Sequence, residues 1–556
     1  MLVYQIRPGA YYDSVVLMQL QRALASLPNV VDAGVVMATP ANKEILAANN
    51  LLPAPAEDTA KPDDLLIVIH AADEPSAQAA LAQVDDLLRQ RRSGGGDAGF
   101  RPKSLATAAK QLPTADWVLV SVPGRFAAGV AEEALDLGKH VLLYSDNVPL
   151  ADEIRLKQKA RERGLLLMGP DCGTAIIHGI GLGFANRVQR GHIGLVGASG
   201  TGLQAITAAI HNLGGGVSHA IGTGGRDLKA EVGGITALQA LQALANDPAT
   251  QTIVLVSKPP SAEVAVRLLA AAWHTGKPVV VQFIGYPPPG RRVGNLHFAT
   301  SLQEAAETAV ELGQGTGDEG RGTNDQGQMT NLRALFSGGT LAYELLLCLQ
   351  PFLTNLHSNI PIQPSQKLAD VWRSVGHTVL DLGEDEFTQG RLHPMMDNDL
   401  RLRRLRQEAA DPTVSLILLD VVLGEGAHPD PASELAPAIA QVARDGLQVA
   451  AVVIGTEQDP QDTAAQIAQL EAVGVRVFRT VNQLVEWVVA RLLPPPVAQD
   501  WPAIQLGQSL SALNVGVASF YESLQAQGTT AVQVDWRPPA GGNEKLMAIL
   551  AKMKGG

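Results

Sequence analysis

Apolar runs and helical patterns alternate along most of the chain, and this alternation predicts the fold class. Short runs that are apolar throughout, such as Trp117–Val122 and His140–Tyr144, precede stretches in which apolar residues recur every three to four positions. Continuous apolar strands separated by helices are typical of parallel sheets covered on both faces. The pattern therefore predicts an α/β protein, with a Rossmann-like domain over residues 100–190.

The first 92 residues show a different pattern. Their apolar runs are more widely spaced, and they alternate with helical patterns near residues 13–26, 41–51 and 75–91. The runs are Leu2–Ile6, Val30–Met37 and Leu65–His70. We expect a small α+β domain over residues 1–92.

Residues 191–493 contain an internal repeat. Each copy opens with a strand that runs into a Gly/Ser turn and a long apolar helix, and each continues with two further apolar strands and a closing helix. The copies cover residues 191–312 and 331–493. Because two copies are too few for a solenoid, the repeat predicts a pair of flavodoxin-like units that face each other.

Gly- and Pro-rich stretches separate these regions and predict linkers. They are Ser93–Gly99, Gly313–Thr330 and Pro494–Pro502. After the last one, residues 507–556 form a C-terminal segment with a predicted helix over Leu510–Gln525 and a strand over Thr530–Val534. This segment either packs on its own chain or docks to a partner subunit through Trp536 and Arg537, since Trp and Arg dominate interfaces.

Composition narrows the function classes. The chain has 556 residues and a formal net charge of −12, which argues against a nucleic-acid-binding surface. Its apolar runs are too short to cross a membrane, and its start lacks the apolar stretch of a signal peptide. Two cysteines cannot build a disulfide framework or a zinc site. We therefore expect a cytoplasmic protein that binds neither nucleic acid nor membrane.

The two strand-to-helix turns are the first candidate sites. Small residues let the backbone approach a ligand, and the N–H groups at the positive end of a helix favour an anion. A pair of such turns would bracket one phosphoryl group, whereas a single turn also fits simple tight packing. The predicted phosphate-binding residues are Ser199, Gly200, Thr201 and Gly202 in the first turn, and Ser337, Gly338, Gly339 and Thr340 in the second.

Two further loops carry candidate chemistry. In the first copy, Gly224 and Gly225 permit close approach, and Arg226 can form paired hydrogen bonds with a carboxylate or phosphate. Alternatively, Arg226 stiffens the loop by pairing with the neighbouring aspartate. In the second copy, Arg391 and His393 are predicted ligand contacts, and His393 can exchange protons near neutral pH. A surface histidine is the alternative, and no third ligand supports a metal site.

These residues resemble a known family. The stretch from residue 110 to 310, with GPDCGTAII, VGASGTGLQ and GTGGRDL, resembles the α-subunit of succinyl-CoA synthetase and related acyl-CoA synthetases, and the second copy resembles the C-terminal domain of the β-subunit. With GRLHPMMD and VDWRPPAGGNEKLM added, the whole chain looks like a member of the FdrA family. The resemblance implies a Rossmann-like CoA-binding-type domain followed by two synthetase-type domains.

The departures from the synthetases shape the functional expectation. In those enzymes two helix N-termini hold a phosphohistidine, but Asn295 stands at the histidine position here, and His297 follows two residues later. Both are retained as candidate substrate-binding residues. No ATP-grasp module precedes the second copy. The early strand–helix segment that carries the nucleotide loop is either missing or replaced by residues 100–116, which argues against CoA as a cofactor.

The FdrA resemblance implies a subunit of an oxamate carbamoyltransferase of ureide catabolism, working with two further protein subunits in an oligomer. That enzyme converts oxalurate and phosphate to oxamate and carbamoyl phosphate. We expect phosphate at the two turns and the substrate carboxylate on Arg226 or Arg391. The alternatives are an acyl-CoA synthetase that uses His297, CoA and ATP with a partner, and a non-catalytic anion-binding scaffold.

Overall fold

The computed structural model describes residues 1–8, 14–61, 64–93, 101–286, 290–313, 330–493 and 501–538. The chain forms two compact units, the first built from residues 1–156 and 507–556 and the second from residues 157–506. The predicted linkers lie almost entirely outside the described residues. Over the described part, no helix is long and apolar enough to cross a membrane.

The N-terminal region of the first unit is a small α+β domain, as predicted. β3 is the central strand of an antiparallel sheet with the order β1-β3-β2, and it is buried along almost its whole length. The elements run β1 (Leu2–Arg7), α1 (Ser14–Ala25), β2 (Val30–Met37), α2 (Pro40–Ala48), α3 (Ala54–Thr59), β3 (Leu65–Ala71), α4 (Glu74–Ala82) and α5 (Val84–Ser93).

The next region confirms the predicted parallel strands. β4 and β5 pair in parallel, and every residue of both strands is buried, which accounts for their uninterrupted apolar sequence. The elements are α6 (Leu105–Gln111), β4 (Trp117–Val120), α7 (Gly124–Asp136), β5 (His140–Leu143), α8 (Leu150–Glu162), β6 (Leu167–Met168), β7 (Thr174–Ile177) and β8 (Ile180–Gly183).

The first synthetase-type sheet starts earlier than predicted. β7 and β8 form a hairpin that joins this sheet through an antiparallel pair with β10, so the predicted boundary at residue 190 divides one sheet. Its strand order is β13-β14-β12-β11-β9-β10-β7-β8. The elements are β9 (Arg190–Gly197), α9 (Gly200–Asn212), β10 (Val217–Gly222), α10 (Ile235–Asn246), β11 (Thr252–Ser257), α11 (Ala262–Trp273), β12 (Val279–Phe283), β13 (Arg292–Val293), β14 (Leu296–Phe298) and α12 (Leu302–Gly313).

The second synthetase-type sheet is parallel throughout, with the order β16-β17-β15-β18-β19-β20. The elements are β15 (Asn331–Phe336), α13 (Gly339–Leu349), β16 (Leu356–Ser358), a 3-10 turn (Pro364–Gln366), β17 (His377–Asp381), α14 (Asp385–Thr388), α15 (Asp399–Ala409), β18 (Val414–Val422), α16 (Pro431–Val442), β19 (Gln448–Ile454), α17 (Thr463–Glu471), β20 (Arg476–Phe478) and α18 (Val481–Leu492).

The C-terminal segment corrects two expectations. It forms β21 (Ser511–Val515), α19 (Ala518–Ala526) and β22 (Thr530–Val534), so the helix predicted from Leu510 begins instead as a strand. β21 pairs in parallel with both β4 and β22, giving the order β22-β21-β4-β5 within the first unit. A strand and a helix from the other end of the chain thus adjoin β4 in this sheet.

The C-terminal segment is thus part of a sheet rather than a separate tail. Of the two residues expected to dock a partner, Trp536 packs edge-on against Phe126, with ring centroids 5.6 Å apart. Arg537 is exposed, and its Nη2 atom lies 3.8 Å from Oδ2 of Asp535. Residues 539–556 of the predicted segment lie outside the described residues.

Candidate functional site

The first turn leaves its backbone donors available. Ser199 caps α9, and its Oγ accepts a hydrogen bond from the N–H of Gly202 at 3.2 Å. The backbone N–H groups of Ser199, Gly200 and Thr201 have no hydrogen-bond partner in the described part of the chain. Ser199 and Gly200 are half-buried and Thr201 is exposed. A helix N-terminus in this state can accept an anion.

The sheet brings the glycine loop to the same edge as this turn. Gly197, the last residue of β9, pairs with Gly222 on one side and with Val256 on the other. The loop that follows Gly222 therefore begins beside the turn, at the carboxyl ends of neighbouring parallel strands where α/β proteins bind ligands. Gly224 adopts a positive φ of 85°, and a Cβ there would collide with the carbonyl oxygen of Pro170.

The buried side chain of Asp227 stabilises this loop. Its Oδ1 lies 2.7 Å from the Nζ of Lys157, and both side chains are fully buried. Asp227 also accepts hydrogen bonds from the backbone N–H groups of Thr236 and Ala237 at the start of α10. The buried ion pair Lys157–Asp227 thus helps to fix the loop. Arg226 is half-buried in the same loop.

The second turn differs because the chain fills it with its own carboxylate. Asp420, on β18, accepts hydrogen bonds from the N–H of Ser337 at 2.7 Å, from its Oγ at 2.9 Å and from the N–H of Gly338 at 2.8 Å. The predicted role of Ser337 and Gly338 in holding phosphate is corrected by these bonds, because their donors are already occupied. The N–H groups of Gly339 and Thr340 make no hydrogen bond within the described residues.

Arg401 balances the charge of Asp420. Its guanidinium lies 3.4 Å from Asp420 Oδ1 and donates to the Asp420 carbonyl oxygen at 2.6 Å. Both side chains are almost completely buried. Burial lowers the pKa of Arg401, and the charge of Asp420 opposes that shift. Neither Arg401 nor Asp420 was predicted from the sequence as a site residue. The position of Asp420 inside an apolar strand is a signal that could have identified it.

Asp381 is the second carboxylate at this turn. It ends β17, pairs with Phe336 in the sheet and is 3% exposed. Its Oδ1 accepts a hydrogen bond from the N–H of Gly383 at 2.8 Å. Burial raises the pKa of Asp381, the Gly383 hydrogen bond lowers it, and the nearby Glu384 and Asp420 raise it further.

His393 lies beside Asp381. A Cβ built on Gly383 would lie 2.8 Å from His393 Nε2 and 3.0 Å from Asp381 Oδ1, so both groups border the same small space. The Nδ1 of His393 accepts the N–H of Met395 at 3.2 Å, which leaves Nε2 to face that space. Arg391 is exposed in the same loop. Of the predicted second-copy residues, the structure thus brings His393 to the turn.

Asn295 and His297 lie elsewhere. The Asn295 amide donates to the carbonyl oxygens of Ala272 at 3.1 Å and Lys277 at 2.8 Å. His297 is on β14, three strands from β9, and pairs with Val280 near the amino end of β12. Burial lowers the pKa of His297, and Arg292 lowers it further. Neither residue lies at the carboxyl edge of the first sheet, where the first turn lies.

Three family models match the chain. One described as "AllF, heavy metal-associated domain" matches residues 1–102, one described as "CoA binding domain" matches residues 188–285, and one described as "CoA-ligase" matches residues 335–491. The CoA-binding match falls on the first synthetase-type sheet, not on residues 100–190, where a CoA-binding-type domain was predicted from the sequence. Together with the fold, the matches define an acyl-CoA synthetase-like class of protein.

Similar proteins narrow this class. The chain is 41% identical over 491 residues to the uncharacterized protein YahF of Escherichia coli (strain K12), covering 84% of this chain and 94% of that protein. The chain belongs to the FdrA family of the CoA-ligase superfamily.

More distant relatives match a smaller part of the chain. The chain is 31% identical over 202 residues to succinate–CoA ligase [ADP-forming] subunit alpha 1 of Archaeoglobus fulgidus, which is 35% of this chain and 66% of that subunit. Among solved structures, the apo form of the dinucleotide forming acetyl-coenzyme A synthetase 1 of Ca. Korarchaeum cryptofilum is 16% identical, with a TM-score of 0.29, over 67% of this chain and 82% of that one. The superposition is weak.

Proposed function

We propose that the chain is the phosphate-binding subunit of a carbamoyltransferase that converts oxalurate and phosphate to oxamate and carbamoyl phosphate. The observation that carries the proposal is the first turn, where the N–H groups of Ser199, Gly200 and Thr201 have no partner among the described residues. Three convergent donors at the positive end of a helix suit a phosphate dianion. Arg226, in the adjoining loop, is the proposed contact for the substrate carboxylate.

Direct transfer between bound reactants suits this chemistry. Phosphate attacks the carbamoyl carbon, and fixed N–H donors stabilise the negative charge that develops. Holding both reactants in line can lower the barrier by about 7–11 kcal/mol. The hydrogen bonds of Asn295 to two carbonyl oxygens support a route without a phosphorylated side chain at that position. We further propose that two partner subunits and an oligomer complete the enzyme.

The sharpest test removes one donor from each turn. Thr201 and Thr340 are both exposed, both occupy the first turn of a helix and both follow a glycine, so Thr201→Pro and Thr340→Pro form a matched pair. Proline is tolerated in the first helical turn and deletes one N–H. We expect Thr201→Pro to weaken phosphate binding about 10-fold or more, the contribution of one charged hydrogen bond. Thr340→Pro should leave phosphate binding unchanged.

The assay follows carbamoyl phosphate formation from oxalurate in the full complex with its partner subunits, and it runs with and without CoA and ATP. Phosphate-dependent turnover that needs neither nucleotide, with a raised phosphate KM only in Thr201→Pro, supports the proposal. Equal phosphate KM values in wild type and both variants would refute the assignment of the first turn.

A second candidate is an acyl-CoA synthetase, favoured by the matches to the CoA-binding and CoA-ligase models and to succinate–CoA ligase alpha subunits. This function predicts turnover that depends on both CoA and ATP, with a separate partner supplying the ATP-dependent phosphorylation. Labelled phosphate that stays on the protein after alkaline denaturation would identify a phosphohistidine and would favour this candidate over carbamoyl transfer. Its absence, together with turnover free of nucleotides, would exclude the synthetase.

A further inference from the structure

Two carboxylates flank the start of α13, but only one of them has hydrogen bonds to both of its oxygens. Asp420 is surrounded by donors, because it accepts from two backbone N–H groups and the Ser337 hydroxyl and lies beside the Arg401 guanidinium. These bonds give Asp420 a structural role, since it closes the strand-to-helix turn from inside. The chemistry left at this turn must therefore come from its neighbour.

Asp381 has one oxygen that plays no such role. Its Oδ1 accepts the Gly383 N–H, whereas its Oδ2 makes no hydrogen bond with the described residues. A Cβ built on Gly339 would lie 2.5 Å from Oδ2, so this oxygen is aimed at the first residue of α13. A side chain that is 97% buried and has one oxygen without a hydrogen-bond partner, beside the first residue of α13, marks a place for a ligand.

The surroundings of Asp381 raise its pKa on balance. Burial is the largest cause and the carboxylates of Glu384 and Asp420 add to it, whereas the Gly383 hydrogen bond and His393 lower the pKa. His393 is the other titratable group bordering it, through the space above Gly383. A carboxyl group whose pKa is raised stays protonated over a wider pH range, and in that form it can donate a hydrogen bond or pass on its proton.

We propose that Asp381 is a catalytic acid, whose Oδ2 holds the departing carboxamide nitrogen of the substrate at the start of α13 and gives it a proton. This inference rests on the proposed carbamoyltransferase function. In this arrangement the first turn holds phosphate, Arg226 holds the substrate carboxylate and Asp381 contacts the departing nitrogen.

The proton and electron balance is complete without a further reagent. A phosphate oxygen forms a bond to the carbamoyl carbon, the carbon–nitrogen bond breaks, and its electron pair stays on the nitrogen, which takes the proton of Asp381 and leaves as oxamate. Hydrogen phosphate gives up its own proton as carbamoyl phosphate forms. That proton restores Asp381, and His393 Nε2 is placed to pass it on.

The experiment compares Asp381→Asn, Asp381→Ala and the control Glu386→Gln in the full complex. Glu386 is exposed on α14, five residues along the chain from Asp381. Calorimetry measures oxamate binding, and turnover gives kcat. Asparagine keeps an N–H donor but carries no transferable proton, so we expect near-normal oxamate affinity with kcat lowered about 10²- to 10⁴-fold. Alanine should also weaken oxamate binding about 10-fold, and Glu386→Gln should match wild type.

The dependence of kcat on pH distinguishes the loss of a catalytic proton from a purely structural effect. The kcat of wild type should fall at alkaline pH as the acid loses its proton, and this limb should be missing from the residual activity of Asp381→Asn. The inference would be overturned if Asp381→Ala bound oxamate as tightly as wild type, or if Asp381→Asn had the kcat of wild type. Either result would leave the proposed carbamoyl transfer unaffected. A wild-type complex without phosphate-dependent turnover would instead refute the proposed function, whatever oxamate binding shows.

Discussion

The two strand-to-helix turns have the same backbone plan but opposite electrostatic character. In the first sheet, Gly197 at the end of β9 is flanked by Gly222 and Val256. In the second, Phe336 at the end of β15 is flanked by Asp381 on one side. On the other side it is flanked by Asp420, because Leu335 pairs with Leu419 and Asp420 is the next residue. Two flanking positions thus decide whether a helix N-terminus stays available to an external anion or receives a carboxylate of the chain.

The physical basis is competition for the same donors. A helix N-terminus has four N–H groups without intrahelical partners, and a carboxylate there is stabilised by them and by the helix dipole. Asp420 takes two of the donors at the second turn, and Asp381 adds a second carboxyl group. A dianion would meet repulsion there. At the first turn, by contrast, Gly222 has no room for a side chain, because a Cβ would collide with the carbonyl oxygen of Thr174.

Removing the internal carboxylate should have the largest effect. Asp420→Ala leaves Arg401 buried without its partner and strands the donors of Ser337 and Gly338. We expect a loss of about 3–5 kcal/mol in unfolding free energy. The equivalent change in the first sheet, Val256→Ala, removes only apolar contacts and should cost about 2 kcal/mol. Denaturant unfolding measures both, and equal losses would contradict an electrostatic role for Asp420.

A methyl group at the first helical residue should separate the turns next. Gly339→Ala places a Cβ 2.5 Å from Asp381 Oδ2, whereas the nearest atom to a Cβ on Gly200 is Thr174 Oγ1 at 3.4 Å. We expect Gly339→Ala to destabilise the protein by about 1–3 kcal/mol. Gly200→Ala should be neutral or stabilising by up to about 1 kcal/mol, since alanine favours a helix. Thermal unfolding compares them, and a stable Gly339→Ala would place Asp381 away from the helix.

Loss of a helix cap should come third. Ser199→Ala removes the hydroxyl that accepts from Gly202 and should cost about 1 kcal/mol. Ser261 caps α11 in the same way, through Val264, and Ser261→Ala should cost a similar amount. Added phosphate should stabilise both variants as much as wild type, because Ser199→Ala keeps the backbone N–H groups of the proposed anion site. A weaker phosphate effect in Ser199→Ala alone would show that the hydroxyl, and not the N–H groups, holds the anion.

The smallest effect should come from the proton of Asp381. Because its pKa is raised in the folded state, the charged form costs stability as pH rises, and the cost vanishes below the unfolded pKa of about 3.9. Asp381→Asn should therefore be more stable than wild type at neutral pH, with the gain disappearing in acid. Unfolding measured across pH tests this, with Glu386→Gln as the flat control. A gain independent of pH would exclude titration of Asp381.

Strand positions were predictable where burial is complete. β4, β5 and β11 are buried at every residue, so their sequences are apolar almost without a break and are recognisable as strands. β21 was missed because its five residues are followed after two positions by a helix, and the mixed run has a helical period. Its partner β4 lies almost 400 residues away in the chain, and no local pattern reports so distant a pairing.

The site was predictable only in part. The glycine-rich turns were visible because small residues interrupt apolar runs, and the structure places the first turn and the Gly224–Arg226 loop at one sheet edge. Asp381 and Asp420 were not recognised, since each is one acidic residue in the last part of an apolar strand. Lys157 was likewise hidden in a charged helix, and only folding buries it against Asp227.

Local sequence specified the class of fold, the repeat and the two turns, because apolar period and small residues act over short distances along the chain. Folding in three dimensions set which N–H groups remain available, since that depends on the residues at the ends of the two flanking strands, far away in the chain. Phe336 and Gly197 occupy the same position in two similar sheets. Hydrogen bonding and charge at their neighbours leave N–H groups of the first turn without a partner among the described residues, whereas Asp420 occupies the Ser337 and Gly338 N–H groups of the second.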